Sequence, residues 1–512
     1  MAFKFSMGMK QVDYNYFMPN VGCMMDILTS SPVKGVHGQT IINGGHNGAI
    51  GVTGPGNSFK SAIADHINQT AAFRTHRECT GGKYDTETNV SIPGLMKRLK
   101  RIIFPFAPDW YESGKWEITD SSIYFLEEWF TIFKKFMAGK VEARKEATLL
   151  TPILDRDNKP LKVIIPTFMA LDSLSKAETK KIDGVRNSSD IGDSKQNMIQ
   201  AHSNLYKKNM IDEMGNWLRK SNTYMTLTMH FGEALQFDIY KPIHKPLAEL
   251  DTGTKIKGVP SNIYFLTSII WLVKGVNNLH RPGDKNTMEY PIKGYNNQNV
   301  EDLKLIRIKP LRNKTGPSGG MSDLVVSQSQ GVLESLTQFH YLRVSGGFGL
   351  IGSSISGSLN DVRCVLLPDV KMTRTTVRSM LDENYKLSQA IRICADLHQM
   401  QLHWEEHLLA INPKANKLKP EELYQMIKDR GYDWDMLLNT RSWVTLDDGF
   451  HETLELNTYD IVRMAYGDYH PFWLENDKRT IKKKYQAYID EARKLREGLS
   501  AKTTSLLEDM EN

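Results

Sequence analysis

The residues of this chain that could do chemistry begin with one short string. Gly54, Pro55, Gly56, Asn57, Ser58, Phe59, Lys60 and Ser61 follow a short apolar run at 48–53 and open a helical pattern. Glycines let the backbone turn so that successive N–H groups face inward and hold phosphate oxygens at a helix N-terminus. Lys60 can then reach the β- and γ-phosphates of ATP, and the Ser61 hydroxyl can ligate Mg2+. The string departs from the GxxxxGK[ST] phosphate-loop consensus at one place, because Phe59 stands where the last glycine is expected. A side chain costs little there if φ is negative.

Two carboxylates and a histidine follow at strand tips. Glu87 closes the string Lys83-Tyr84-Asp85-Thr86-Glu87. A carboxylate in that place can orient and deprotonate the attacking water, the general-base task of triphosphate hydrolysis. Asp172 ends an apolar run at 163–171 that Pro166 interrupts. In phosphate-loop enzymes an Asp at such a strand end holds the hydration shell of Mg2+. His230 ends the run at 224–229, where an imidazole could hydrogen-bond phosphate. Each also has a plainer role: a polar strand end for Glu87, a helix cap for Asp172-Ser173, a structural histidine for His230.

Such residues act together only if a sheet brings them to one edge. Between about 39 and 348, short apolar runs alternate with helical stretches, the pattern of a mostly parallel sheet flanked by helices. Strands are expected at 48–53, 77–84, 162–171, 224–229, 263–273 and 303–309, and helices at 61–73, 122–135 and 196–218. Two long polar stretches interrupt this core, at 175–196 and 237–259, and loops of that length are usually functional or disordered. The first carries Lys176, Lys180, Lys181 and Arg186; the second carries Lys241, Lys245, Lys255 and Lys257. The division expected along the chain is an N-terminal segment at 1–35 that could act as a subunit-contact arm, an ATPase core at 36–348, a Gly/Ser-rich connection at 349–361, a helical C-terminal domain at 362–470, and a basic helix with an acidic tail at 471–512.

Composition narrows the class without choosing a function. The 512 residues include 40% hydrophobic and 24% charged side chains, with no apolar run long enough to span a bilayer and no signal-peptide pattern, so a cytoplasmic protein is expected. Cys23, Cys79, Cys364 and Cys394 lie far apart in the sequence and form no zinc pattern, as befits reduced core residues. A formal net charge of +6 permits a nucleic-acid partner but does not demand one.

The string GPGNSFKS resembles the phosphate loop of the UvsX-type recombinases of bacteriophages, members of the RecA superfamily, in which Phe-Lys-Ser at this position is characteristic. The resemblance extends from about Met18 to Ser318, through Met18-Pro19, the segment 21–30, KYDTE, LDSLSKAE and Ile191-Gly192-Asp193-Ser194. It implies a RecA-like core with a mostly parallel sheet, Glu87 as base, Asp172 with Ser61 at the metal, and His230 as the γ-phosphate sensor. It also implies that the two polar stretches are DNA-binding loops, their lysines and arginine meeting the phosphate backbone. Lys309, Arg312 and Lys314 resemble the basic turn that reaches the neighbouring subunit's ATP, and the sequence does not choose among them. The implied activity is a DNA-dependent ATPase that forms helical filaments on single-stranded DNA and pairs it with homologous double-stranded DNA in recombination and repair. Mediator and single-strand-binding proteins would be further partners, and the host cytoplasm the place of action if a phage encodes the chain. The alternative is a RecA-fold replicative helicase, disfavoured because only about 50 residues precede the phosphate loop, too few for a primase-binding domain. A third reading is a nucleotide-binding structural protein whose Phe59 marks lost catalysis.

Overall fold

The computed structural model describes residues 17–88, 94, 113–180, 182–184, 199–233, 254–292, 302–316, 318–353, 355, 357, 359–444, 446, 454–490 and 494. Its centre is a ten-stranded sheet. In chain order the strands are β1 (Ala49–Gly54), β2 (Thr80–Asp85), β3 (Trp116–Asp120), β4 (Thr167–Asp172), β5 (Thr223–Glu233), β6 (Thr254–Ile256), β7 (Thr267–Asn278), β8 (Leu303–Asn313), β9 (Ser322–Ser327) and β10 (Gly331–Val332). Across the sheet they run β10-β9-β8-β7-β1-β5-β4-β2-β3, with β6 paired to the end of β5. The pairings from β7 through β1, β5, β4 and β2 to β3 are parallel, and those of β6, β8, β9 and β10 antiparallel.

Burial on both faces explains why the parallel strands read as apolar runs rather than alternating ones. Along β7, Ile269, Trp271 and Val273 join the cluster around Ile63 and Ile67, while Ile270 and Leu272 join Trp129 and Met214 on the other face. This is the two-residue period of a strand clad on both sides. Helix α1 (Lys60–Thr75) supplies the first cladding; α2 (Leu126–Glu142) and α3 (Ile199–Ser221) supply the second, through Trp129, Phe133, Met210 and Met214. The chain leaves β1 for β2 and β4 on one side, returns through β5, and only then crosses to β7 on the other side. β1 therefore sits at a topological switch point, the place outside the carboxyl ends of the strands where ligands of open α/β sheets bind.

The C-terminal third folds onto this core. Helices α4 (Glu334–Val344), α5 (Tyr385–His403), α6 (Pro420–Asp429) and α7 (Thr458–Tyr466) share one apolar cluster with Leu303 and Val325 of the sheet. Trp404, Trp434 and Trp473 are buried in it, as core residues. Polar ties fix the contact: Trp404 Nε1 donates to the Ile27 carbonyl at 3.1 Å, and Asp460 accepts the Thr40 N–H at 2.8 Å. Among the described residues no helix is long and apolar enough to cross a membrane.

Several expectations change. The run at 162–171 is two strands in different sheets: Pro160–Ile164 forms a hairpin with Thr148–Leu154, and β4 begins at Thr167. Pro166 between them has no N–H to give a ladder. The strand expected at 263–273 opens instead with a helical turn, Ile263–Leu266. The basic turn expected after 309 is absent, because β8 continues to Asn313; Pro310 is accommodated where the register slips between Ile270 and Trp271. The stretch 349–361 is not simply a linker, since Leu350–Ser353 pairs with Asp361–Cys364 in a three-stranded sheet completed by Leu367–Met372. Cys364 and Cys394, distant in sequence, have their Sγ atoms 3.8 Å apart, and all four cysteines are buried and outside any disulfide.

Candidate active site

The phosphate-loop string leaves β1 at its carboxyl end and enters α1 at Lys60. Lys60 is buried, its Nζ donating to the Pro55 carbonyl at 2.6 Å and to Ser58 Oγ at 3.4 Å. The ammonium thus caps the inside of the turn. Burial pushes it below the usual lysine range, against the pull of Asp172 and Glu87. Asn57 and Phe59 adopt φ of 54° and 61°, so the loop alternates hand in the manner of an anion-binding nest. Phe59 therefore does not have the negative φ at which a side chain would cost little. The turn demands the left-handed conformation at the position where the consensus has glycine, and the half-buried Phe59 ring rests on the cluster around Trp271.

Register brings the remaining residues to the same edge. β1 aligns Gly54 with His230 of β5, and β2 aligns Asp85 with Asp172 of β4. β5 lies between the phosphate-loop strand and that of Asp172, which are therefore not adjacent. Asp172 is nonetheless the hub. Its Oδ1 accepts the Ser61 hydroxyl at 2.9 Å and that of Thr228 at 2.6 Å, while its Oδ2 lies 2.8 Å from Lys83 Nζ. Lys83 also reaches Asp65 Oδ1 at 3.2 Å, and all three charged groups are buried. Burial alone would raise Asp172, but Lys83, Thr228 and Ser61 hold it below the ordinary carboxylate range. Burial would lower Lys83, and Asp65 and Asp172 instead raise it. This triad keeps Asp172 ionised and turns Oδ1 toward the helix N-terminus.

A hydroxyl and a carboxylate oxygen in that place are hard-oxygen donors that fit Mg2+. Among the described residues no group of three or more His, Cys, Asp or Glu could hold a metal alone. Ser61 and Asp172 could hold such an ion only together with further oxygen ligands.

Glu87 and His230 meet across this edge, Oε1 to Nε2 at 3.2 Å. The Glu87 N–H donates to Asp85 Oδ1 at 2.9 Å, and Thr86 Oγ1 donates to the carbonyls of Asp172 and Ser173 at 2.9 and 2.8 Å. These bonds fix the strand tip that carries the carboxylate. Burial acts to raise Glu87, but Ser173 and His230 outweigh it and hold the carboxyl below its ordinary value of 4.5. Lys60, Ser61, Asp172, Glu87 and His230 are thus neighbours.

The basic residues divide into two groups. Lys176, Lys180, Lys255 and Lys257 are exposed, although Lys180 is engaged with Glu128 at 2.5 Å. Lys181, Arg186, Lys241, Lys245 and the string at 191–194 lie outside the described residues. Lys314 follows β8 at the amino edge of the parallel strands, Arg312 stands opposite Ile270, level with Gly51 in the middle of β1, and Lys309 stands opposite Leu272, level with Thr53 near the carboxyl end of β1. Lys314 lines a basin of about 530 Å3 together with Arg144, Lys162, Arg219 and Lys220, and among the described residues no Asp or Glu lines it.

Lys83, Asp65, Thr228 and Thr86 escape a sequence reading. One signal did exist for Lys83, since a charged residue inside a strand buried on both faces requires a buried counter-charge. Its partners come from an intervening helix and a distant strand, and no local pattern names them.

No family model matches this chain, and no curated protein matches it. Among solved structures it is similar to the crystal structure of the RadB recombinase, with 11% sequence identity and a TM-score of 0.30, over 56% of this chain and 92% of that one.

Proposed function

We propose that this chain is an ATP-hydrolysing recombinase of the RecA superfamily, of UvsX type, acting as a filament on single-stranded DNA. The observation that carries the reading is the convergence of Lys60, Ser61, Asp172, Glu87 and His230 at the carboxyl edge of the sheet, outside the switch point. Lys60 exchanges its bond to the Pro55 carbonyl for a phosphate oxygen. The backbone N–H groups of residues 56–61 would take the remaining phosphate charge. Ser61 and Asp172 would hold Mg2+, which when bound neutralises charge on the β- and γ-phosphates. Glu87, ionised at neutral pH, accepts the proton of the attacking water, and His230 lies where it can sense the γ-phosphate and steer Glu87.

The exposed Lys176, Lys255 and Lys257 flank this edge and suit a polynucleotide backbone. Lys314 lies at the opposite edge, with Arg312 two residues before it, so a second copy stacked head to tail would bring this end of β8 toward this copy's triphosphate. Hydrolysis would then depend on assembly, because the transition-state charge is incompletely met in one subunit.

The test is ATP turnover with and without single-stranded DNA, combined with electron microscopy of the complexes. Stimulated turnover with helical filaments is expected. Lys60→Ala should abolish turnover, and Glu87→Gln should retain nucleotide binding while losing about 10²–10⁴-fold in rate. Closed rings with directional unwinding would favour the helicase instead, and normal turnover in Glu87→Gln would show the base to be misassigned.

A further inference from the structure

Lys207 of α3 is 3% exposed, and among the described residues its Nζ donates to two backbone carbonyls, Gly258 O at 3.2 Å and Ser175 O at 3.4 Å, with the Glu178 carboxylate acting on its charge. A buried ammonium is costly unless its donors are used, so it needs both carbonyls where they are. Those carbonyls belong to the two places where the basic segments join the sheet. Ser175 stands just beyond β4 and beside Lys176, and Gly258 just beyond β6 and beside Lys257. The two places are also in direct contact. Gly258 has φ +66°, and a side chain on it would come within 2.9 Å of the Ser175 carbonyl. Ser175 reaches the candidate sensor too, since its Oγ accepts the His230 N–H at 3.0 Å, and the His230 carbonyl accepts the Lys257 N–H at 2.8 Å.

We infer that Lys207 is a positioning residue that clamps the roots of the two basic segments to each other and to the backbone of His230, so that polynucleotide on the segments and phosphate at Glu87–His230 report to one another. This rests on the reading above, in which the segments bind a polynucleotide and His230 faces the γ-phosphate. Lys207 touches neither ligand. What it supplies is a fixed spacing: with the clamp closed, a displacement of either root is transmitted through Ser175 to β5. Without the ammonium the two carbonyls have no common donor, and the roots move independently. Burial lowers the Lys207 amine to about 8, against the pull of Glu178, so the clamp is charged at neutral pH and weakens as pH rises past that value, where two uncharged donors replace the ammonium.

The experiment compares wild type with Lys207→Met, which keeps length but not charge, and Lys207→Arg, which keeps a charge that does not titrate in this range. In Lys207→Met, turnover without polynucleotide should be unchanged, while stimulation by poly(dT) should fall about tenfold, the size of an ordinary site-to-site coupling. Lys207→Arg should restore the stimulation. In wild type the stimulation should decline from pH 8 to 9.5, and in Lys207→Arg it should stay level. Full stimulation in Lys207→Met, or the same decline in Lys207→Arg, overturns the inference. Amide exchange separates this from failure of the functional reading. The amides of 173–176, 230 and 257 should exchange faster in Lys207→Met even if wild type proves indifferent to poly(dT), and unchanged exchange there sinks the clamp on its own.

Discussion

Phe59 offers a test in which two substitutions should rank against their usual order. The residue sits at φ 61° and ψ 23° immediately before α1, with its ring half buried against the cluster around Trp271. A Cβ in the left-handed region costs about 1–2 kcal/mol. Full burial of a phenylalanine side chain contributes about 1.5–3 kcal/mol, so half-burial contributes about 1–1.5 kcal/mol. Phe59→Ala removes the packing and keeps the strain, for a loss of about 1–1.5 kcal/mol. Phe59→Gly loses the same packing, recovers about 1–2 kcal/mol of strain, and costs about 0.5–1 kcal/mol in unfolded-chain entropy. Glycine should therefore be the more stable replacement by about 0.5–1 kcal/mol, whereas at an ordinary helical position alanine leads by about 1 kcal/mol. Urea unfolding without nucleotide, at matched slopes, resolves a gap between the two expectations of about 1.5–2 kcal/mol. If Phe59→Ala equals or exceeds Phe59→Gly, the left-handed assignment is wrong, and with it the account of how a phenylalanine is tolerated in this loop.

Three other outcomes follow from the site. Lys83→Met strands Asp65 and Asp172 as buried carboxylates without a cation and should destabilise the protein by about 3–5 kcal/mol; adding Asp65→Leu should return part of the loss, and a loss in thermal or urea unfolding below about 1 kcal/mol would contradict the triad. Because Glu87 is held below 4.5, turnover should persist as pH falls and drop only as the carboxyl is protonated below that value; His230→Ala removes one of the groups that lower it, so the acid limb of kcat/KM should move to higher pH, and an unmoved limb would separate the two residues. Arg312→Ala with Lys314→Ala should leave nucleotide binding intact but abolish turnover, and mixing that variant with Lys60→Ala chains should recover activity at mixed junctions; no recovery would place those cations outside the neighbour's site.

Much of the frame was legible because its signals are local. Apolar runs of strand length between helical stretches foretold β1, β2, β4 and β5, and the glycine-rich string foretold a turn into α1. Glu87, Asp172 and His230 stood out because a polar residue ending an apolar strand lies at a sheet edge, where ligands bind. Errors arose where a local rule met a tertiary demand. Pro310 read as the start of a turn, yet a bulge against β7 carries β8 past it to Asn313. The Gly/Ser-rich stretch after 346 read as a connection, yet it pairs as a strand.

The sequence by itself determined which residue types suited to phosphate and metal chemistry stand at strand ends, because side-chain type and short-range periodicity are properties of neighbouring positions. Only the tertiary structure decided the sign of φ at Phe59, the ion triad of Lys83 with Asp65 and Asp172, the Lys207 contacts, and the placement of Lys314 at the edge opposite the site. Those depend on strand order and on groups far apart in the chain. A buried charge is stable only beside partners that the fold, rather than the local sequence, brings to it.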